Sequence, residues 1–196
     1  MQGNSLIRER KNKMSTTNES IPLYYLKPAS GNRLEKERAT YDLLDRLGIP
    51  YTGIDHSAAA TVEDCIDIEK NLGVEICKNL FLRNQSKTEF YLLVMPGQKR
   101  FITKDVSKQI GTSRLSFAEA EYMEEYLNVT PGSVSIFGLM YDRDRKVHLL
   151  IDSQIAEAVY IGCHPCINTS SLKIRTADIF EKFLQYTGHE PIIVNL

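Results

Sequence analysis

"KNLFLRNQSKTEFYLLVMP", residues 78–96, holds two short apolar runs, 80–82 and 90–95, separated by a polar stretch suited to a turn. Runs this short, rich in aromatic and branched side chains and bounded by polar residues, read as strands rather than helices. The second, "FYLLVM", is the longest buried-looking run in the chain. It falls far short of the roughly 18–20 apolar residues that cross a bilayer. A cation, Lys78, stands at the entrance of the first. A lysine there commonly lays its stem on apolar surface and keeps its head in water. The functional alternative is a cation at a cleft mouth, placed for a phosphate or a polarised carbonyl.

N-terminal to this pair, Leu34, Tyr41 and Leu44, widened by Ala39, Leu43 and Leu47, predict a helix beginning near Arg33. Gly48 and Pro50 end it. "TVEDCIDIEKNLG", residues 61–73, predicts a second helix with Thr61 as N-cap, Ile68 and Leu72 on its buried stripe and Cys65 within it. On the C-terminal side, "SFAEAEYMEEYLN" opens with Ser116 and Glu119 at capping-box spacing. "GSVSIFGL" (132–139), "KVHLLID" (146–152) and "AVYIGC" (158–163) predict three further strands. "TADIFEKFLQYTG", residues 176–188, predicts a closing helix with Ile179, Phe180, Phe183 and Leu184 inward and Gly188 as its cap. Strands and helices are interspersed without the regular alternation of a doubly wound sheet. The fold class is therefore α/β, with a mixed or largely antiparallel sheet and helices packed on it.

A chain of 196 residues, 42% hydrophobic and 25% charged, has the makings of one soluble domain that needs no disulfide staples. Residues 1–30 are polar, with the charge run "RERKNK" and no apolar signal core, and are expected to form a flexible leader ahead of a single domain over 31–196. The expected location is the cytoplasm, with reduced thiols. A net charge of −1 argues against sequence-blind coating of nucleic acid, though not against a local basic patch. Lys99, Arg100, Lys104, Lys108 and Arg114 form such a stretch, which a solvated helix face explains equally well.

"IGCHPCINTS", residues 161–170, sets His164 and Pro165 between Cys163 and Cys166. A thioredoxin-type pair wants a helix N-terminus after it, whereas here a turn and a strand follow. A structural zinc site needs four ligands, and Cys65 and Cys77 do not form a second knuckle. The thiols are read as incidental, with no metal and no cofactor. Gly132, in "TPGSVSIFGL", permits close approach of backbone to a ligand, but a plain turn would use it too. No Ser/His/Asp ordering, phosphate-binding loop or dinucleotide fingerprint is present.

In one order, "KNLFL", "YLLVMPGQKRFITKDVSKQIGTSRLSFA", "VTPGSVSIFGL", "LLIDSQI", "CHPCINTSSLKI" and "GHEPIIV" resemble the YbaK/ProRS-associated editing family. Within it they are most similar to the ProX-like freestanding deacylases of mischarged alanyl-tRNA(Pro). The resemblance runs from about Tyr25 to the C-terminus. It implies a curved, largely antiparallel sheet with helices around it, and hydrolysis of the ester that joins a wrong amino acid to the tRNA 3′ end. It also implies catalytic roles for Lys78 and His164, and substrate contacts for Asn79, Gly132, Ser133 and Asn168. The implied partners are the acceptor end of tRNA(Pro) and, transiently, prolyl-tRNA synthetase, with no DNA, membrane or cofactor. The family loop runs Gly-x-x-x-Pro, whereas Ile136 stands at the proline position here. A cysteinyl-tRNA(Pro) deacylase of the YbaK type and a non-catalytic tRNA-binding or regulatory module are the alternatives.

Overall fold

Residues 22–29, 31–58 and 62–196 are described by the computed structural model. The run Phe90–Met95 is buried along its whole length and sorts the fold into layers. Phe90, Leu92 and Val94 enter the main core; Tyr91, Leu93 and Met95 enter a second core on the opposite side. Successive strand side chains point to opposite faces, so a strand covered on both sides must be apolar throughout.

The elements follow in chain order as β1 (Leu23–Tyr24), α1 (Glu35–Arg46), β2 (Tyr51–Asp55), α2 (Val62–Leu72), β3 (Lys78–Arg83), β4 (Phe90–Met95), α3 (Thr103–Ile110), β5 (Ser116–Phe117) and α4 (Ala120–Leu127). A 3₁₀ turn (Ile136–Met140), β6 (Val147–Asp152), α5 (Ser153–Glu157), β7 (Tyr160–Cys163) and β8 (Ser170–Arg175) come next. A helical run with a π stretch (Ile179–Phe183) between two short α segments leads to β9 (Ile192–Val194). The strands form two sheets, ordered β1-β2-β8-β7 and β5-β3-β4-β6-β9. All pairings are antiparallel except β4 with β6 and β6 with β9, so the largely antiparallel expectation holds. The parallel pairs arise because 51 residues, 96–146, separate β4 from β6, enough for the crossover that parallel strands require.

The main core lies between the sheets, where Leu172, Ile174 and Ile161 of the first meet Phe81, Leu92 and Leu149 of the second, with Tyr41 and Leu44 of α1. Ile68 and Leu72 pack α2 on Ile54, and Val106 packs α3 on the outer face of the second sheet. No helix among the described residues is long and apolar enough to cross a membrane.

Four local expectations are corrected. Leu34 is exposed at the N-terminal boundary of α1, while Glu37 is 2% exposed, because Arg33 neutralises it. Ser116 is no helix cap: it pairs with Arg83 in β5, and Glu119 turns to Arg83 and Lys87. "GSVSIFGL" is not a strand. Its Ser135 hydroxyl accepts the Phe137 N–H and starts the 3₁₀ turn, which buries Ile136, Phe137 and Leu139. The folded region also reaches into the expected leader, since Leu23–Tyr24 pairs with β2 and the Tyr24 hydroxyl bonds that of Tyr41 at 2.7 Å. The expected cap Thr61, the side chain of Cys65 and residues 1–21 lie outside the described residues.

Candidate active site

The two sheets meet where one glycine lets two backbones touch. The Gly162 N–H donates to the Glu75 carbonyl at 3.2 Å, and the Cys77 N–H donates to the Gly162 carbonyl at 2.8 Å. A β-carbon at position 162 would lie 2.5 Å from the Glu75 oxygen, so only glycine fits without displacement. One residue beyond this junction β3 begins with Lys78, and one residue beyond β7 stands His164. Both line a single cavity of about 410 Å³ with Glu69, Ile76, Cys77, Gly97 and Gln98. That volume lies within the usual range of small-ligand sites.

The loop 96–100 holds the lysine. The Lys78 ammonium donates to the Lys99 carbonyl at 3.2 Å, and among the described residues its other two N–H groups have no partner. The loop itself is pinned by the Lys99 ammonium, which grips the fully buried Asp152 carboxylate at 3.0 and 2.9 Å. Gln98 N–H adds a bond to Glu75 at 3.2 Å. Lys99 is thus committed to structure and drops out of the basic stretch, while Arg100, Lys104, Lys108 and Arg114 remain exposed.

His164 is fixed from behind. Its Nδ1 lies 3.0 Å from the Ser170 carbonyl and therefore carries the proton, which leaves Nε2 as the acceptor. The Ser171 hydroxyl stands 3.4 Å from the same Nδ1 and 2.9 Å from His56 Nε2. Ser170 is braced in turn, its hydroxyl donating to Asp55 at 2.6 Å, beside an Arg33 guanidinium that also reaches Glu37. Burial opposes ionisation of Asp55, but Arg33 and Ser170 overcome it and hold its carboxyl below the usual range. For His164 burial dominates: it lowers the pKa, the Ser170 bond pulls it partly back, and His56 lowers it further. Because the folded value lies under the 6.5 of an exposed imidazole, the neutral ring's contribution to stability is complete above pH 6.5. It declines as the pH falls through the folded value. A histidine NMR titration is expected to give His164 a midpoint below 6.5; a midpoint above it contradicts this electrostatic account.

The remaining expected contacts form a second group. Gly132 adopts φ +84°, a left-handed conformation that suits glycine, and a β-carbon there would stand 3.7 Å from Asn168 Nδ2. Ser133 is buried and closes the turn with an N–H bond to the Thr130 carbonyl at 2.9 Å. The Ser135 hydroxyl donates to the His164 carbonyl, tying this loop to the His-Pro segment. Ile136, at the position of the family proline, anchors the loop through a side chain 1% exposed in the main core. Gly132, Ser133 and Asn168 are not among the residues lining the Lys78 cavity, and neither is Asn79. Asn79, next to Lys78 on the strand and therefore on its opposite face, donates to the Cys77 carbonyl at 3.3 Å. Its Oδ1 is buried without a partner.

Among the described residues the cysteines are unpaired. Cys77, Cys163 and Cys166 are buried free thiols. Burial pushes Cys77 and Cys166 up to about 12 and raises Cys163 as well, so none is a ready nucleophile. Sequence reasoning missed Glu69, Gly97 and Gln98 as cavity residues, and Gly162 as the junction. The available signals were a glycine inside the strand pattern "AVYIGC" and the Pro-Gly step after β4.

Comparison with known proteins converges on one family. The model of the aminoacyl-tRNA editing domain matches residues 56–182. The chain is 30% identical over 156 residues to the prolyl-tRNA editing protein ProX of Acetoanaerobium sticklandii, covering 80% of this chain and 94% of that protein. It is also 30% identical over 156 residues to the prolyl-tRNA synthetase associated domain-containing protein 1 of Danio rerio, covering 79% of this chain and 84% of that one. The crystal structure of hypothetical protein APE2540 shares the fold, with a TM-score of 0.59 at 17% identity over 79% of this chain and 95% of that chain.

Proposed function

The chain belongs to the aminoacyl-tRNA editing domain family, and from that premise we propose that it is a trans-editing hydrolase that deacylates mischarged Ala-tRNA(Pro). The observation that carries the reading is the shared cavity, with the Lys78 ammonium only partly satisfied by the Lys99 carbonyl and His164 held neutral beside it. An aminoacyl ester is already activated, so the site need only position it, admit water and stabilise the oxyanion. Lys78 anchors the terminal phosphate or ribose. His164 shapes and polarises the pocket, and the buried, unpartnered Oδ1 of Asn79 is left for a substrate contact on the other face of the strand. The loop that opens at Gly132 supplies a main-chain N–H donor at Gly132, worth about 3 kcal/mol where charge develops, while the Ser133 N–H is committed to the Thr130 carbonyl and Asn168 flanks the loop. The neighbouring ribose 2′-hydroxyl assists the water, and no protein general base is required.

Proline is larger than alanine, and a synthetase pocket built for the larger residue does not exclude the smaller. A methylene is worth only about 1–3 kcal/mol, which is why a second, smaller sieve is needed. The partner surface is the acceptor end of tRNA(Pro), met by the exposed Arg100, Lys104, Lys108 and Arg114. Prolyl-tRNA synthetase is a transient partner, and the work belongs to the cytoplasm, where translation runs.

Deacylation of alanyl-, cysteinyl- and prolyl-tRNA(Pro) tests the reading. Alanyl-tRNA is expected to be hydrolysed fastest and prolyl-tRNA spared. Preference for the cysteinyl ester would transfer the assignment to the YbaK type, and preference for the prolyl ester would end it. Intact tRNA affinity with no turnover would leave a binding module.

A further inference from the structure

Phe117 is 60% exposed, although it lies in a strand and next to well-buried neighbours. Leu115 at 1% and Ala118 at 5% already anchor the segment, so the fold makes little use of the Phe117 ring. Its contact is the Phe101 ring, edge-on at 6.2 Å between centroids, and Ile102 beside that ring is exposed too.

Strand parity sets the ring on the face of the sheet that carries Lys78. Lys78 and Leu82 are four residues apart on β3 and so point the same way. Phe117 is registered directly opposite Leu82, and directly opposed residues share a face. The offset along the strand is about 13 Å, a distance a few unpaired nucleotides cover. β5 pairs only with Leu82 and Arg83, so residues 78–80 of that edge carry no strand among the described residues.

The sequence around the ring carries an excess of positive charge. Between residues 99 and 114 there are five cations and one acid, Asp105, in a chain of net charge −1. Lys99 is spent on Asp152, but Arg100, Lys104 and Arg114 are exposed on the segments that lead into Phe101 and β5. The acid nearest in sequence beyond the ring, Glu119, is neutralised by Arg83 and Lys87. Exposed aromatic rings bordered by cations suit single-stranded RNA, whose unpaired bases stack while its phosphates seek positive charge.

We propose that Phe117, backed by Phe101 and flanked by Arg100, Lys104 and Arg114, is a stacking platform for an unpaired base in the 3′-terminal segment of the tRNA. The platform holds the strand that leads to the Lys78 cavity. It rests on the tRNA reading above and adds to it a base-stacking residue on the far side of the loop that positions Lys78.

The test compares the full chain with Phe117→Ala and Phe117→Trp, using fluorescence anisotropy with uncharged tRNA(Pro) and with the same tRNA lacking its unpaired 3′ nucleotides. Phe117→Ala is expected to weaken binding of the intact tRNA by about 5- to 150-fold, the range of one lost stacking contact. Binding of the truncated tRNA is expected to stay unchanged, and Phe117→Trp to restore the intact one. Equal affinity of Phe117→Ala and the parent for intact tRNA, or equal loss on both RNAs, overturns the platform. Hydrolysis of an alanyl-adenosine ester separates the two claims, because that substrate does not reach Phe117. If the parent cleaves neither ester nor alanyl-tRNA while the binding pattern holds, the platform stands and the hydrolase reading falls. If hydrolysis is normal and Phe117→Ala changes nothing, the platform falls alone.

Discussion

Replacing Lys78 by alanine is expected to lower deacylation of alanyl-tRNA(Pro) by 100-fold or more, with a melting temperature within a few degrees of the parent. The asymmetry follows from where the side chain makes its bonds. Among the described residues the ammonium has one hydrogen bond, to the Lys99 carbonyl at 3.2 Å, and such a bond contributes about 0.5–1.5 kcal/mol net. For a domain of this size each kcal/mol shifts the melting point by about 2–4 °C. The substrate loses far more, because a preorganised charge at the reacting end of a ligand is worth on the order of 10²–10³ in rate. Lys78→Arg is expected to rescue poorly, because a planar guanidinium fork does not reproduce the compact point charge of an ammonium. Kinetics per folded molecule, with a thermal melt of each variant, decide the matter. A large loss of stability with activity retained would make Lys78 a structural residue.

Gly162→Ala is expected to do the reverse, damaging fold and activity together. The new β-carbon would stand 2.5 Å from the Glu75 carbonyl oxygen and 2.8 Å from the Ile76 side chain. The backbones must separate, which breaks the 2.8 Å bond from the Cys77 N–H to the Gly162 carbonyl. Overpacking of this kind costs about 1–3 kcal/mol. The parting also moves Lys78 relative to His164, since Lys78 lies one residue beyond Cys77 and His164 two residues beyond Gly162. Activity should therefore fall even on the small alanyl-adenosine ester, where RNA contacts play no part. A variant with parent-like melting and turnover would show that the junction does not hold the site together.

The legible parts of the molecule were those with a local period. β4 showed itself as an unbroken apolar run, and Ile68 and Leu72 marked the buried side of α2. The interspersed strand and helix patterns carried the mixed α/β class, and the order of the six segments carried the family. Less legible was anything decided by a distant partner. Ser116 and Glu119 have capping-box spacing, yet Arg83, brought alongside by β3, takes both away into a strand pairing and an ion pair. Ser135 sends a strand-like pattern into a 3₁₀ turn by bonding within its own turn and to the His164 carbonyl. The basic stretch read as one feature, but the buried carboxylate of Asp152 removes Lys99 from it.

By itself, then, the sequence determined the class of fold, the family and the identities of Lys78 and His164 as a pair worth watching. Only the tertiary structure decided that they share a cavity, that Gly132 and Asn168 form a neighbouring group, and that Gly162 is the contact between the sheets. The reason is physical. Periodicity reports which face of an element is buried, since burial acts on each side chain where it stands. Backbone contact at a glycine depends on what approaches from elsewhere in the chain, and no pattern around residue 162 names Glu75 as the partner.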